Sequence, residues 1–330
     1  MISPLVCGPN GNQWRKCRPV EVSRSRSFGP VVLAVSSTYP SWIVHRQIPR
    51  ILRGERIVPA ARFLRAACSA SSAAKDRPVF VLSAGWRSGS TLLQRLICSS
   101  DKTLLWGEPF GEFVPVHRLC RTIESLTEDS PHLTYTCENL EKPLAESWIA
   151  NLNPGIDALR RGHHGYFQSQ FGDAASERGY TNWGIKYVRV TGYHAHYLKW
   201  IFPQCRIIYL VRNPIDAYRS YKRKSYWFTE RPDFRIDSAT KFMSHWAYLA
   251  DSFLKTADEL DACLVRYDQL AKDPAIISRL SDYLDCELDA SVISQTIGSR
   301  KKSRFKVQPW ERWICRRLTS TLQSALGFNN

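Results

Sequence analysis

Short apolar runs alternate with longer amphipathic stretches along most of the chain, from residue 77 onward. Each run has four to six residues and is rich in Val, Ile, Leu and aromatic side chains. Continuous apolar runs of this length are typical of strands that are buried on both faces of a parallel sheet. They predict five strands, at Pro78–Leu82, Thr103–Trp106, Gly184–Val188, Arg206–Val211 and Ala262–Val265.

The stretches between these runs repeat apolar residues at helical spacing. They predict helices at Thr91–Cys98, Gly111–Leu126, Pro143–Leu152, Tyr166–Glu177, Tyr193–Trp200, Pro214–Tyr221, Ser238–Glu259, Pro274–Leu284 and Trp310–Leu326. Strands that alternate with helices favour an α/β fold in three layers, with a central, mainly parallel sheet flanked by helices.

The first 76 residues have a different composition, because Arg, Ser and Pro are frequent and apolar periodicity is weak before Arg50–Ala74. Residues 1–74 hold eleven basic and two acidic residues, so +9 of the chain's net charge of +16 lies there. This composition is typical of an organelle-targeting peptide, a disordered basic arm or an overextended gene start, and the sequence leaves the three open. We predict an N-terminal extension over residues 1–76 and a catalytic domain over residues 77–330.

The composition of the whole chain narrows the function classes. Its 330 residues, 44% of them apolar and 23% charged, exclude a collagen-like, coiled-coil or wholly disordered protein. No window approaches the ~18 consecutive apolar residues of a membrane-spanning helix. Ten cysteines without CxxC spacing favour reduced thiols, so we expect a cytoplasmic location. The positive charge favours an anionic partner, such as nucleic acid, a membrane surface or a phosphate- or sulfate-bearing ligand.

The clearest chemical signal follows the first predicted strand, where Ser83–Leu93 reads SAGWRSGSTLL. A loop of small residues at a helix N-terminus presents unpaired backbone N–H groups and the positive end of the helix dipole to an anion. Arg87 adds a permanent cation, and Ser88, Ser90 and Thr91 add hydroxyl groups. The alternative is an ordinary Gly/Ser turn that caps the helix. The position of the loop directly after a strand favours phosphate binding.

This loop departs from the loops of nucleotide hydrolases and dinucleotide-binding proteins. The hydrolase pattern GxxxxGK[ST] places a Lys after the second Gly. In this chain Gly85 and Gly89 are one residue closer together, and Ser90 takes the position of the Lys. The dinucleotide pattern GxGxxG is absent. A Mg²⁺-dependent nucleotide kinase or hydrolase is therefore disfavoured, and it is kept as an alternative function.

Two motifs resemble those of the sulfotransferases that use 3′-phosphoadenosine 5′-phosphosulfate (PAPS). The first is similar to the loop with which that family grips the 5′-phosphosulfate, and consists of Arg87, Ser88, Gly89, Ser90 and Thr91. The second is similar to the pair that holds the 3′-phosphate, with Arg212 at a strand end and Ser220 eight residues later on a helix. The resemblance covers roughly Arg77 to Phe328. It implies a P-loop-like fold, PAPS as co-substrate and no metal.

The second motif also has a meaning without the family. A side chain at the carboxyl end of a buried strand points into the crevice where open α/β sheets bind ligands. Arg212 stands at such an end, and Pro214 suits the first position of the following helix. The alternative is that Arg212 forms a surface ion pair with Asp216.

Sulfuryl transfer needs a base for the acceptor's proton and cations that steady charge on the transferred group. The resemblance implies that Glu108, just after the second strand, is the base, because bacterial, carbohydrate and tyrosylprotein members carry a Glu at that strand end. The alternatives are a solvated loop acid at Glu108, or a base supplied by Glu112 or His117. Arg87 is expected to act as one of the catalytic cations.

Lys186 lies within a predicted buried strand, where an unpaired charge is costly. We expect it to contact an anion, either the sulfuryl group or the acceptor. The alternative is a lysine at the strand edge whose ammonium group reaches water.

A basic segment, residues 298–306, has five cations in nine residues. The resemblance implies a basic loop that folds over the adenosine and the 3′-phosphate, with Arg300 and Lys301 as candidates. A solvated basic tail fits the same composition.

The acceptor is expected to carry a hydroxyl or amino group, on a carbohydrate or glycolipid. A non-enzymatic polyanion-binding protein is a third hypothesis, and no specific nucleic-acid partner is expected. Two histidine pairs, His163 with His164 and His194 with His196, lack an evident completing cluster of carboxylates or cysteines, so we predict no metal. The sequence leaves the oligomeric state open.

Overall fold

Five strands form one sheet at the centre of the computed structural model, which describes residues 40–68, 75–111, 114–126, 140, 142–222, 235–270, 272–295 and 306–328. The strands are β1 (Val79–Ser83), β2 (Thr103–Trp106), β3 (Asn182–Tyr187), β4 (Arg206–Val211) and β5 (Cys263–Arg266). Neighbouring strands pair in parallel in the order β2-β3-β1-β4-β5. All five predicted strands are confirmed.

Helices cover both faces of this sheet. In chain order they are α1 (Ser41–Gln47), α2 (Ile57–Ala67), α3 (Ser90–Ile97), α4 (Pro115–Leu119), α5 (Ile156–Phe167), α6 (Asp173–Ser176), α7 (Gly192–Ile201), α8 (Pro214–Lys222), α9 (Ala239–Thr256), α10 (Tyr267–Leu270), α11 (Pro274–Leu284), α12 (Ser291–Ser294) and α13 (Pro309–Ala325). Helices α3, α10, α11 and α12 pack on one face and the others on the opposite face. The predicted three-layer α/β fold is confirmed.

The pleat of each strand divides its side chains between the two layers, because successive side chains point to opposite faces. In β1, Phe80 and Leu82 enter one apolar cluster, while Val79 and Val81 enter the other. All four are at most 1% exposed. Burial on both faces explains why the strand is a continuous apolar run in the sequence.

One predicted helix, Pro143–Leu152, is wrong. It contains only a single 3₁₀ turn, Leu144–Glu146. Trp148 and Ile149 are more than half exposed, so the apolar pattern has no core to pack against. A short helix without tertiary packing is marginal in water, and this segment is irregular.

Two further helices differ from their predicted bounds. Within the predicted Gly111–Leu126, α4 begins at Pro115 and gives way to a 3₁₀ turn at Cys120–Thr122. The helix predicted at Tyr166–Glu177 begins earlier, as α5, and reaches α6 through a π-helical turn at Gln168–Gly172. Glycines inside α5 conceal its apolar face in the sequence, because Gly contributes no side chain and disfavours helix.

Part of the predicted N-terminal extension is folded. Helices α1 and α2 pack on α9 and α7, and they bury Val44 and Leu64 completely. Arg62 and Arg65 both pair with Glu259 at the end of this contact. Residues 1–39 and 69–74 lie outside the described residues, so the boundary at residue 76 and any targeting role stay predictions. Within the described ranges, every helix is too short or too polar to span a bilayer.

Candidate active site

The loop between β1 and α3 has the backbone geometry of an anion cradle. Gly85, Arg87 and Gly89 are all left-handed, with φ of 80°, 62° and 94°. Left-handed residues in such a loop turn backbone N–H groups toward one point, as in phosphate-binding nests. Gly89 also precedes α3, whose first N–H groups have no partner within the helix. A left-handed arginine costs about 1–2 kcal/mol, and strain of this kind persists mainly at functional sites.

The hydroxyl groups of this loop differ in environment. Ser88 is fully buried, and its Oγ has no hydrogen-bond partner among the described residues. Ser90, the first residue of α3, is 7% exposed, and Thr91 is exposed. A buried hydroxyl without a partner costs about 1–3 kcal/mol. The Ser88 hydroxyl is therefore placed to gain from a bound anion.

The two sequence motifs meet at one point. The Arg87 Nε–H donates to Ser220 Oγ at 3.0 Å, although the two residues are 133 positions apart. The Arg212 Nη1–H donates to the Arg87 carbonyl at 2.9 Å. Arg212 follows β4, which pairs with β1, so the fold brings both loops to one edge of the sheet. The alternative ion pair of Arg212 with Asp216 does not form in the structure, because Asp216 pairs with Arg219.

Tyr267, which the sequence analysis did not select, completes this cluster. It follows β5 directly as the first residue of α10. The Arg212 guanidinium lies 4.4 Å from the centroid of the Tyr267 ring, a cation–π contact. The same ring packs so closely on Gly89 that a Cβ at that position would collide with it. Tyr267 thus fixes both Arg212 and the glycine of the loop.

On the other side of β1, Glu108 and Lys186 form an ion pair. The Lys186 Nζ lies 2.8 Å from Glu108 Oε1. Lys186 is in β3, and Glu108 is two residues past the neighbouring β2. Lys186 is only 6% exposed, so the alternative of a lysine that reaches water is wrong. The partner that offsets its burial in this structure is the Glu108 carboxylate.

Arg189, a second residue that the sequence analysis did not select, contacts both the β1–α3 loop and the segment that follows Glu108. It lies two residues past β3 and is 2% exposed. Its Nη2–H donates to the Gly111 carbonyl at 2.6 Å, and its guanidinium lies 5.7 Å from the Trp86 ring centroid. Arg189 therefore contacts both the segment after Glu108 and the loop between β1 and α3. The sequence shows an arginine just past a strand end, but it does not show that this arginine is buried.

Two buried histidines lie behind these loops. His245 packs 5.3 Å from the Trp86 ring, and burial together with the Arg189 charge lowers its pKa to about 3. Burial, followed by the Arg189 charge, also lowers the pKa of His117 to about 3. The His117 Nε2–H donates to the Arg189 carbonyl at 3.1 Å. Burial and weak basicity make His117 a poor rival to Glu108 as the base.

Several predicted site residues fall outside the described part of the chain. These are Glu112, Arg300 and Lys301. Among the described residues, no group of three or more His, Cys, Asp or Glu side chains is placed to hold a metal ion. The absence of a metal stays a prediction.

Several solved structures are similar to this chain at low sequence identity. A sulfotransferase domain from the Synechococcus olefin synthase is 18% identical, with 77% of this chain and 95% of that chain covered and a TM-score of 0.43. A mouse sulfotransferase complexed with PAP is 11% identical, with 84% and 92% covered and a TM-score of 0.39. A sulfotransferase from Mycobacterium avium is 13% identical, with 83% and 81% covered and a TM-score of 0.39.

A family model gives the stronger result. No curated protein sequence matches the chain significantly. The model described as "Sulfotransferase family" matches residues 78–290, which is more than half of the chain and includes both motifs. The chain belongs to the sulfotransferase family.

Proposed function

We propose that this protein transfers the sulfuryl group of PAPS to a hydroxyl or amino group of a carbohydrate or glycolipid acceptor, without a metal. The observation that carries the proposal is the contact of Arg87 with Ser220 and with Arg212. The resemblance assigns these residues to the 5′-phosphosulfate and to the 3′-phosphate. Their meeting at one sheet edge supports a single site that binds both ends of the nucleotide.

The proposed clamp consists of Arg87, Ser88, Gly89, Ser90 and Thr91 for the phosphosulfate, and Arg212 and Ser220 for the 3′-phosphate. Arginine is suited to both anions because its planar fork binds phosphate oxygens in pairs. ATP lacks the 3′-phosphate, so this clamp would select PAPS over the commoner nucleotide. Arg300 and Lys301 are proposed to add charge over the 3′-phosphate.

In the proposed reaction the acceptor oxygen or nitrogen forms a bond to sulfur as its proton passes to the Glu108 carboxylate. The bond between sulfur and the bridging oxygen of PAPS breaks, which releases adenosine 3′,5′-bisphosphate and the sulfated acceptor. Lys186 and Arg87 steady the negative charge on the transferring group and the bridging oxygen. The ion pair with Lys186 holds the Glu108 carboxylate in position.

Reduced thiols support the proposed cytoplasmic location. All seven cysteines in the described part of the chain are free. Disulfides are rare in reducing compartments, so free thiols fit a cytoplasmic protein.

The test is the thermal stability of the full chain with adenosine 3′,5′-bisphosphate, with AMP and with ATP and Mg²⁺. A ligand at a hundred times its Kd stabilises the folded state by about 2.7 kcal/mol. We expect stabilisation by the bisphosphate alone, its loss in Arg212→Ala and its retention in Arg219→Ala, a nearby arginine that pairs with Asp216. Preference for ATP with Mg²⁺ would favour the kinase alternative. Transfer of labelled sulfate from PAPS to a panel of glycans, glycolipids and simple phenols then tests the acceptor class.

A further inference from the structure

An unusual surface lies on the last helix, α13. Its buried stripe, which includes Cys315, Leu318 and Leu322, packs on α9 and α8. Outside this stripe α13 carries two tryptophans and three arginines, all exposed: Trp310, Trp313 and Arg317 on the outward side, and Arg312 and Arg316 on the flank beside α8. We call these five residues the Trp-Arg face.

The two indoles of the Trp-Arg face are exposed to solvent because of their position on the helix. Trp310 is 58% exposed and Trp313 is 64% exposed. A spacing of three puts them on one side of the helix, and Arg317 follows Trp313 at a spacing of four. The stripe of two indoles and one guanidinium runs along the outward side of α13. Large exposed aromatic groups that adjoin one another mark interaction sites more often than single exposed residues do.

The charged residues of this surface are all positive. Within the described ranges, Arg312, Arg316 and Arg317 form no ion pair with an acidic side chain. The only acidic residue of α13, Glu311, is 2% exposed and is bound to Lys222 and Tyr218 on the buried side. The charge on Glu311 is therefore compensated internally and does not offset the arginines.

A groove beside the face extends the positive surface. It has a volume of about 530 Å³ and runs between α8 and α13. Arg219, Arg312, Trp313 and Arg316 line it, together with one acidic residue, Asp216. Asp216 is already paired with Arg219 at 2.8 Å, so the remaining arginines set the sign of the groove.

We propose that the Trp-Arg face docks the protein on an anionic lipid bilayer surface. Indoles prefer the boundary between water and hydrocarbon, where the ring is buried and the N–H stays hydrated. Arginine binds lipid phosphate through its fork, while its carbon stem lies along the apolar boundary. A flat partner can contact the whole outward stripe at once, and the adjoining groove offers room for a headgroup. A soluble polyanion would use the arginines but would leave the outward indoles in water.

The test measures binding of the full chain to phosphatidylcholine vesicles with and without phosphatidylglycerol, by sedimentation and by quenching of tryptophan fluorescence with brominated lipid. We expect binding only to the anionic vesicles. Each arginine near an anionic surface contributes about fivefold, so Arg312→Gln/Arg316→Gln/Arg317→Gln should weaken binding on the order of a hundredfold. Trp310→Ala/Trp313→Ala should remove the quenching and weaken binding by roughly tenfold.

Trp148 supplies a matched control, because it is 66% exposed but lies far along the chain from α13. Trp148→Ala should keep both the binding and the quenching. All these variants retain residues 1–74, so a loss of binding cannot come from the charge of that segment. Each variant should also keep the thermal shift with adenosine 3′,5′-bisphosphate, which checks that it is folded.

Three results would overturn the proposal. Undiminished binding of both α13 variants to anionic vesicles would place the contact elsewhere. Displacement of vesicles by inorganic phosphate would mean that the groove binds a free anion only. Binding to heparin or single-stranded DNA that needs the three arginines, with no binding to vesicles, would assign the face to a soluble polyanion.

Discussion

The two sides of the sheet edge at the candidate active site hold their cations in different ways. Beside β1 and β4, Arg212 contacts a main-chain carbonyl and a tyrosine ring, both neutral. Beside β2 and β3, Lys186 is paired with the Glu108 carboxylate. In the proposed function, an arriving nucleotide adds negative charge next to Arg212, whereas an arriving anion must share Lys186 with Glu108. The first side is suited to binding, and the second to a proton transfer that accompanies movement of charge.

Of the substitutions at these two sides, Glu108→Gln should have the largest effect, and the effect should be on turnover. Removal of a general base typically lowers turnover by about 10²–10⁴-fold. We expect kcat to fall on the order of a thousandfold, while the affinity for adenosine 3′,5′-bisphosphate is kept, because the proposed clamp of Arg87, Arg212 and Ser220 is unchanged. Turnover and calorimetric binding measured on the same variant check both parts.

A matched control is Glu259→Gln, which removes a carboxylate that pairs with Arg62 and Arg65 away from the site. It should leave turnover within about twofold, because exposed ion pairs affect stability only slightly. Retained activity in Glu108→Gln would remove Glu108 from the role of base.

Lys186→Met should have the next largest effect. Removal of a buried cation near the developing charge should lower kcat by about a hundredfold. Affinity for the bisphosphate should change much less, because that ligand lacks the sulfuryl group. Lys199→Met is the control, since Lys199 donates to the Cys205 carbonyl at 2.9 Å on a helix behind the sheet. An unchanged rate in Lys186→Met would restrict Lys186 to a structural role.

The sequence predicted the two sides unequally. Arg87, Arg212 and Ser220 could be predicted as clamp residues because phosphate binding depends on residue types at fixed positions beside strand ends. Tyr267 and Arg189 were missed, because their roles depend on what they pack against. A tyrosine under a guanidinium and a buried arginine across two loops are contacts of tertiary structure, and no local pattern encodes them.

The fold shows the same division. The strands were predictable because burial on both faces leaves a continuous apolar run. The helix at Pro143–Leu152 was wrong because Trp148 and Ile149 face solvent, which the pattern cannot reveal. Helix α1 was hidden by a basic composition with weak periodicity. Helix α2 lies within the periodic stretch Arg50–Ala74 but was assigned to the basic extension, although both helices pack on the domain, through α9 and α7. Charge composition describes the solvated side of a helix and says little about its buried side.

Gly89→Ala tests how tightly the binding side is packed. The glycine is left-handed at a φ of 94°, and a methyl group there would collide with the Tyr267 ring. We expect a loss of about 2 kcal/mol in the free energy of unfolding and loss of the bisphosphate thermal shift. Gly179→Ala has a similar φ of 86° but open space around it, so it should cost only ~1 kcal/mol and leave the thermal shift intact. Equal behaviour of the two variants would mean that the Tyr267 contact is unimportant.

The smallest expected effect is on the stability of the protein at low pH. It comes from two buried histidines, His245 beside the loop between β1 and α3 and His117 beside Arg189. Both have a pKa of about 3 in the folded protein, below the ordinary ~6.5. Because the unfolded chain takes up the protons first, their stabilising contribution is complete above pH ~6.5 and is lost as the pH falls toward 3. One pH unit below 6.5, each should cost about 1 kcal/mol of unfolding free energy. Urea midpoints measured above and below pH ~6.5 check this. His117→Phe and His245→Phe should each reduce the acid-induced shift by similar amounts, and an unchanged shift in either variant would mean that its histidine is protonated in the fold.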